Sequence, residues 1–548
     1  MHPKSLARAC FIVVALFSMS IAAKAQCNAW NVVGSAGFSA GMVTSMSIAI
    51  DNSGTVYVAY VDEADSDKAT VMKYNGSSWT TVGSAGFSAG GIEWPSIAID
   101  SSGTPYVAYY DVANGGATVM KYNGVWVAVG SAGFSAGEVN YTAIAIDSSE
   151  TPYVVYRDDS GNSDKATVMK YNGSSWVNVG SPGFSAGEVD WTRIAIDGNG
   201  TPYVVYIDSF NSHKATVMEY NGSSWVTVGS AGFSAGSVQY TSIAIDNNNT
   251  PYVAYTDIFN GYKATVMKYN GSNWAAVGSA GFSAGMVSYT SIAIDKNGTP
   301  YVAFQDWSNS HKSTVMKYNG SSWITVGSAG FSAGEANGTS IAIDSSGTPF
   351  MAYQDAGNSE KATVMNFLNL PAIILDSNTS DVCAGTTSDS LIYTATSYSP
   401  TQYSIAWSSV ALNAGFNNVS NTLLPTSSIP VTVPGTASAG TYTGVLTVNN
   451  SNCTSNNDTF TITIGPDITP TITLSGPSIE VQGSPVTINA TVSNAGIAYS
   501  IVWKNHGITF NTTTVPSVTY TKGPGIDSIT AIITVTSPGC YDADSAGA

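Results

Sequence analysis

From residue 29 onward the chain is written in short runs of alternating apolar and polar residues, broken by Gly, Asn, Asp and Pro, which predicts β-strands joined by turns. In the first two thirds the runs recur as a block: TSIAID, TPYVAY, KATVMKY, a Trp-containing segment such as SSWTTV, then a linker ending in VGSAGFSAG. The motif IAID ends at Asp51, Asp100, Asp147, Asp197, Asp246, Asp295 and Asp344, seven copies at a period of about 49 residues. The Trp copies, Trp30, Trp79, Trp126, Trp176, Trp225, Trp274 and Trp323, also number seven. They are displaced, however: one precedes the first IAID and none follows the last.

Four strands per unit, here called a to d in chain order, make a propeller blade. The a-to-b turn, as in Asp100-Ser101-Ser102-Gly103, offers an Asp for its own backbone and a Gly for positive φ. Asn75-Gly76 between c and d is a hairpin signal, and Pro105 starts strand b where a missing N–H does least harm. A lone d strand at Trp30 and an unfinished a-b-c set ending at Phe367 complete each other. The pattern therefore predicts an all-β protein opening with a closed seven-bladed propeller rather than a solenoid. Alternating strand direction gathers the b-to-c and d-to-a loops on one face and both tight hairpins on the other.

The Tyr74-to-Trp79 spacing resembles kelch-type propellers, and IDSSGTPYVAY resembles the turn of generic bacterial β-propeller repeats. The kelch double glycine is absent, and the turns lack the residue order of the sialidase Asp-box. The resemblance covers roughly residues 29 to 367 and implies fold rather than activity. Beyond Leu370-Pro371 the texture changes to Ser, Thr and Asn with sandwich-like alternation. The segment from DVCAGTTSDSLIYTATSYSPTQYSIAW through VPGTASAGTYTGVLTVNNSNC resembles the PKD-like modules of secreted surface proteins of Bacteroidota, and the final segment, containing Trp503, is similar to their Ig-like domains. The resemblance implies stalks or adhesive spacers. The expected domains are a signal peptide at 1–25, the propeller at 26–368, a PKD-like sandwich at 369–466 and an Ig-like sandwich at 467–548, with truncation at Ala548 left open.

Lys4 and Arg8, the apolar run Ala9 to Ala23 and Ala23-Lys24-Ala25 read as a secretory signal cleaved after Ala25. Gln26 before Cys27 argues against a lipid anchor, and no later apolar stretch is long enough to span a bilayer. The chain carries a formal net charge of −17, and loss of the signal removes three cations and no acids. Only Arg157 and Arg193 remain among the arginines, so nucleic acid is not expected as a partner; a cation or a neutral ligand such as a glycan suits this field better, and the expected partners are glycans or surface proteins, with the chain a monomer and no cofactor implied. In an oxidising compartment Cys383 and Cys453, in one module with Trp407 between them, form the expected disulfide, leaving Cys27 and Cys540.

On the long-loop face, a polar residue precedes an aromatic at the start of strand a in five repeats: Glu93-Trp94, Asn140-Tyr141, Asp190-Trp191, Gln239-Tyr240 and Ser288-Tyr289. Ser45 and Gly338 stand in the first and last copies. An aromatic plane beside a hydrogen-bonding group suits a sugar ring; the competing reading is ordinary packing between blades. The Asp ending each strand b (Asp62, Asp111, Asp158, Asp208, Asp257, Asp306 and Asp355) is expected to cap its turn rather than hold Ca²⁺. His213 and His311 sit on non-adjacent blades and suggest no metal site. No catalytic constellation emerges, although Glu93, Glu138, Glu188 and Asp190 share the long-loop face. The expectation is a secreted or surface binding protein with repeated glycan sites; a spacer propeller without a ligand ranks second, and a glycoside hydrolase or lyase third.

Overall fold

The computed structural model describes residues 27–548, apart from residues 161, 451–452, 466–470, 477–481, 494–498, 522–523, 525–527, 536–543 and 548. The proposed signal peptide and Cys540 lie outside the described residues. Seven four-stranded antiparallel sheets follow one another. In blade 1 the strands are Val43–Ile50, Val56–Asp62, Lys68–Tyr74 and Trp79–Thr81. Blade 7 takes strands a to c from Ala336–Ile343, Pro349–Asp355 and Lys361–Leu368, and its strand d is Ala29–Val32 from the other end of the domain. Trp30 sits opposite Phe367 in that pairing. The propeller therefore closes through its first strand, as the displaced Trp predicted.

The outer rim explains why Trp recurs. Each strand-d indole donates Nε1–H to the Val carbonyl of the preceding blade: Trp79 to Val33, Trp126 to Val82, Trp176 to Val129, Trp225 to Val179 and Trp274 to Val228, all at 2.7 Å, and Trp323 to Val277 at 2.6 Å. Trp30 completes the circle on Val326 at 2.7 Å, across 296 residues of sequence. Each indole also stacks on a Phe of a GFSAG linker, as Trp79 does on Phe38 with centroids 4.0 Å apart. Gly34 leads into that linker at φ 71°, where an added Cβ would stand 3.0 Å from the Trp79 ring. Glycine is required there both for conformation and for room.

Strand b is buried along its whole length in blades 1, 4, 5 and 6. Tyr60, Tyr109, Tyr156, Tyr206, Tyr255 and Tyr353 are among the largest fully buried side chains, and burial raises the pKa of each phenol far above its ordinary value. The Asp at the end of strand b is buried too, and in blades 2 to 7 an Asn side chain donates to it; in blade 1 Asp65 stands in that position and Asp62 Oδ1 accepts from the Ala64 N–H. In blade 4, Asp208 Oδ1 accepts from the Asn211 backbone N–H (3.3 Å), while Oδ2 accepts from Asn211 Nδ2 (2.8 Å) and Thr216 Oγ1 (2.7 Å). The same set recurs at Asp257. These carboxylates cap turns, and their acceptor sites are filled by protein donors.

Two further pairs of sheets follow. The first comprises a three-stranded sheet and a five-stranded sheet around Tyr403, Trp407, Phe416, Leu446 and Phe460. The second pairs a three-stranded with a four-stranded sheet around Trp503, Ile501 and Ile533. The first of these modules meets blade 7 on the hairpin face, where Ser346, Thr348 and Phe350 share a cleft with Tyr398, Thr401 and Asn450.

The expected Cys383–Cys453 bond is not formed. Cys453 is bonded to Cys27, with Cα atoms 5.6 Å apart and 426 residues between them. Cys383 pairs with Gly465 at the end of strand Asp458–Gly465, whereas Cys453 lies before the start of that strand. At about 3.3 Å per residue the strand separates the two cysteines far beyond disulfide reach. Cys383 is itself disulfide-bonded. The Cys27–Cys453 bridge thus ties the closing strand of the propeller to the module beneath it. Among the described residues no helix is long and apolar enough to cross a membrane.

Candidate functional site: an aromatic funnel on the propeller axis

Strand a of every blade is interrupted near its start by a β-bulge. In blade 4 the register with strand b shifts between Asp190 and Arg193, and the equivalent shift occurs in all seven blades. The residue at each bulge is left-handed: Ser45 (φ 46°), Trp94 (53°), Tyr141 (53°), Trp191 (51°), Tyr240 (52°), Tyr289 (55°) and Gly338 (58°). For a bulky residue this conformation costs roughly 1–2 kcal/mol. It occurs five times over on aromatic side chains.

The strain is held in place by the next blade. Thr192 Oγ1 donates to the Tyr141 carbonyl and Thr241 Oγ1 to the Trp191 carbonyl, both at 2.7 Å. Thr142 makes the same bond to Trp94, Thr290 to Tyr240 and Thr339 to Tyr289. The threonine position reads Met46 in blade 1 and Pro95 in blade 2, which follow the blades carrying Gly338 and Ser45 and have no hydroxyl to donate. The clasp is therefore present behind each of the five aromatics and replaced behind the two small residues. Clasp and aromatic come as a unit.

The five rings form one continuous arc. Centroids are 4.6 Å apart for Trp94–Tyr141, 5.3 Å for Tyr141–Trp191, 4.8 Å for Trp191–Tyr240 and 4.8 Å for Tyr240–Tyr289. Trp94 and Trp191 also touch edge to face at 5.9 Å although a blade lies between them. All five are half-buried. Trp94, Trp191, Tyr240 and Tyr289 line a funnel of about 470 Å³ on the axis at the long-loop face. Tyr141 stands behind them, with the Arg157 guanidinium 5.2 Å from its ring centre. Blades 7 and 1 complete the wall with Ser45, Met46, Asn337, Gly338 and Gln354.

The polar partners from the sequence pattern lie elsewhere, on the rim, because successive strand residues point in opposite directions. Asn140 accepts from Trp94 Nε1 (2.9 Å) and donates to Asp159 (2.5 Å). Asp190 is salt-bridged to Arg157 at 2.7 Å, and Ser288 accepts from Trp307 Nε1 at 3.1 Å. Glu93 and Gln239 are exposed. None of the five lines the funnel. The pairs therefore separate into a funnel of aromatics and a rim of polar groups, giving one composite site where the sequence suggested several.

Polar groups within the funnel come from a deeper layer that sequence reasoning passed over: Ser47, Ser96, Ser242, Ser291 and Ser340, with Arg193 at the same position in blade 4. Exposed apolar side chains crown the b-to-c loops of blades 4 to 6, namely Phe210, Phe259 and Trp307. His213 and His311 follow in the same loops of blades 4 and 6 and do not converge; His311 packs on Trp307. No group of His, Cys, Asp and Glu among the described residues is arranged to hold a metal.

No family model matches the chain, and no curated protein matches it. Solved structures do. The extracellular domain of a hybrid two-component system protein from B. thetaiotaomicron is 12% identical with a TM-score of 0.41, covering 80% of this chain and 57% of that one; the match spans just over half the length of that extracellular domain. A lectin from Aleuria aurantia solved with Fucα1-6GlcNAc is 18% identical with a TM-score of 0.36, covering 54% of this chain and 99% of the lectin. An ulvan lyase is 13% identical with a TM-score of 0.40, covering 63% of this chain and 96% of the lyase. Likeness at this level leaves the fold resting on the seven sheets themselves and the function on the funnel.

Proposed function

We propose that the protein is a secreted or cell-surface binding protein whose axial funnel takes a glycan. The observation that carries the reading is the clasped arc: five aromatics held in a costly backbone conformation, four of them facing an open funnel. Strained residues persist where the surroundings over-determine them, and such devices cluster at ligand clamps. A sugar offers C–H faces to aromatic planes and hydroxyls to the serine and threonine groups between them. The loop-tip residues Phe210, Phe259 and Trp307 would extend the platform for a longer chain.

Binding is preferred to hydrolysis because a glycosidase flanks the scissile bond with two carboxyl groups, and the funnel wall has none. The Cys27–Cys453 bridge favours an oxidising compartment. The module docked on the hairpin face leaves the funnel face free for a ligand.

The test is a glycan array probed with the mature chain, repeated with Trp94→Ala and Trp191→Ala. Saccharide binding by the wild type, lost in both variants, supports the reading. Absence of wild-type binding, or binding indifferent to both substitutions, overturns it in favour of a spacer propeller.

A further inference from the structure

The funnel's serine layer is broken at one place by a charge. Five blades present Ser47, Ser96, Ser242, Ser291 and Ser340, and their hydroxyls accept the inner-strand N–H of a neighbouring blade: Ile97 to Ser47, Ile144 to Ser96 and Ile292 to Ser242 at 3.2 Å, Ile341 to Ser291 at 3.3 Å and Ile48 to Ser340 at 3.4 Å. The serine has a structural task, so its replacement needs a reason. Blade 3 has Ala143 and blade 4 has Arg193, adjacent departures in an otherwise uniform layer.

Among the described residues Arg193 is the only charged one lining the funnel, in a chain whose net charge is −17. Its one hydrogen bond runs from a guanidinium nitrogen to the neighbouring Thr192 carbonyl at 2.9 Å, and its guanidinium lies 5.9 Å from the centre of the Trp191 ring. Both salt bridges among the described residues belong to the other arginine, Arg157. Burial pulls the Arg193 guanidinium down to about 10, which leaves it charged at neutral pH. A recessed cation without a carboxylate partner, with free N–H donors beside a stacking surface, is half of an ion pair.

We propose that Arg193 makes the funnel a receptor for an oxyanion-bearing saccharide, with the guanidinium receiving a uronate carboxylate or sulfate ester of the sugar stacked on Trp191. The planar fork of arginine matches either group in a bidentate manner. The proposal rests on the glycan reading of the funnel and adds the charge of the ligand to it. It also accounts for the absence of acids from the wall, since a carboxylate there would satisfy Arg193 internally and repel the ligand.

The test compares the mature wild-type chain with Arg193→Ser and Arg193→Lys by titration with three probes: an oligogalacturonate, its carboxyl-reduced neutral counterpart and a sulfated galactan oligosaccharide. Serine is the residue five other blades carry, so Arg193→Ser should melt with the wild type. The expected result is that the wild type prefers a charged probe to the neutral one. Arg193→Ser should lose roughly 10- to 100-fold in affinity for it, the worth of a charge-assisted hydrogen-bond pair, and a clearly smaller factor for the neutral probe, so that the preference for charge collapses. Arg193→Lys should fall between, and added salt should weaken charged-probe binding. Uronate and sulfate are told apart by which charged probe wins. Equal wild-type affinity for charged and neutral probes, or a preference surviving in Arg193→Ser, overturns the anion receptor while the glycan reading stands. Failure of the wild type to bind any saccharide overturns both.

Discussion

The outer rim and the axial mouth of the propeller are built from the same seven repeats, yet only the rim is uniform. At the rim every blade sends an indole to its neighbour's carbonyl at 2.6–2.7 Å, and the closing contact of Trp30 with Val326 matches the rest. At the mouth the bulge residue changes from Ser45 to Trp94, Tyr141, Trp191, Tyr240, Tyr289 and Gly338 on an unchanged left-handed backbone. The residue before it and the residue opposite on strand b change as well: Glu93 faces Tyr110, Asn140 faces Arg157 and Gln239 faces Thr256. Contacts that interlock the blades stay alike, whereas the mouth, which on the proposed reading meets an asymmetric ligand, is free to differ. The near-symmetry of the fold and the asymmetry of its mouth are two halves of one design.

The sharpest way to break this contrast is to damage each region and ask whether the effects stay apart. Trp30→Ala removes the Phe331 stack and the Val326 bond from the blade that closes the ring. It should cost about 3–5 kcal/mol of stability in denaturant unfolding and leave glycan affinity unchanged at temperatures where the protein remains folded. Trp191→Gly should do the reverse. Glycine suits the left-handed bulge, as Gly338 shows, and relieves about 1 kcal/mol of strain, so the melting point should fall much less than for Trp30→Ala. Affinity should drop by about 2 kcal/mol or more, the loss typical of a central aromatic anchor.

A smaller effect is expected at the clasp. Thr241→Val removes the donor to the Trp191 carbonyl while preserving shape, and should cost about 1 kcal/mol of stability with a partial loss of affinity, because the ring is no longer held. The same change at a solvent-exposed threonine would do neither, which makes the pair of measurements informative. Last, a chelator should leave the melting temperature unchanged. Asp208 and its equivalents in blades 2 to 7 have their oxygens filled by Asn and Thr side chains and by backbone N–H groups, whereas in blade 1 Asp65 stands beside Asp62 in place of the Asn; a large drop on chelation would mean that these turns hold a cation instead.

Much of this architecture was legible in the residues themselves. Strand period, hairpin residues and the displaced Trp led to seven blades closed by Ala29–Val32, since each depends on local chemistry repeated at a fixed period. The pairing of Cys27 with Cys453 was not legible, because it depends on how one module docks on another. At the mouth, sequence located the aromatics but not their backbone. Aromatic residues rarely adopt positive φ, and the clue was Gly338 standing where other copies carry Trp or Tyr. The threonine clasp had a similar trace: threonine follows every aromatic except Trp94, which Pro95 follows in the blade next to the one that carries Ser45. The polar-aromatic pairs were split by the alternation of strand side chains, which sent Asn140 and Asp190 to partners of their own. Arg193 was visible as an arginine but not as an intruder in a serine layer, a comparison that requires the bulge register.

The central claim is that the clasped aromatic arc is a ligand site carried by a purely structural ring. Its most direct test is the dissociation constant of the mature chain for a saccharide selected on the array, measured for the wild type, Trp191→Gly and Trp30→Ala alongside their melting temperatures. The account predicts that Trp191→Gly weakens binding by roughly thirtyfold with a small change in melting, and that Trp30→Ala lowers melting with binding intact. Equal affinities in wild type and Trp191→Gly, or a wild type that binds no saccharide, would contradict it.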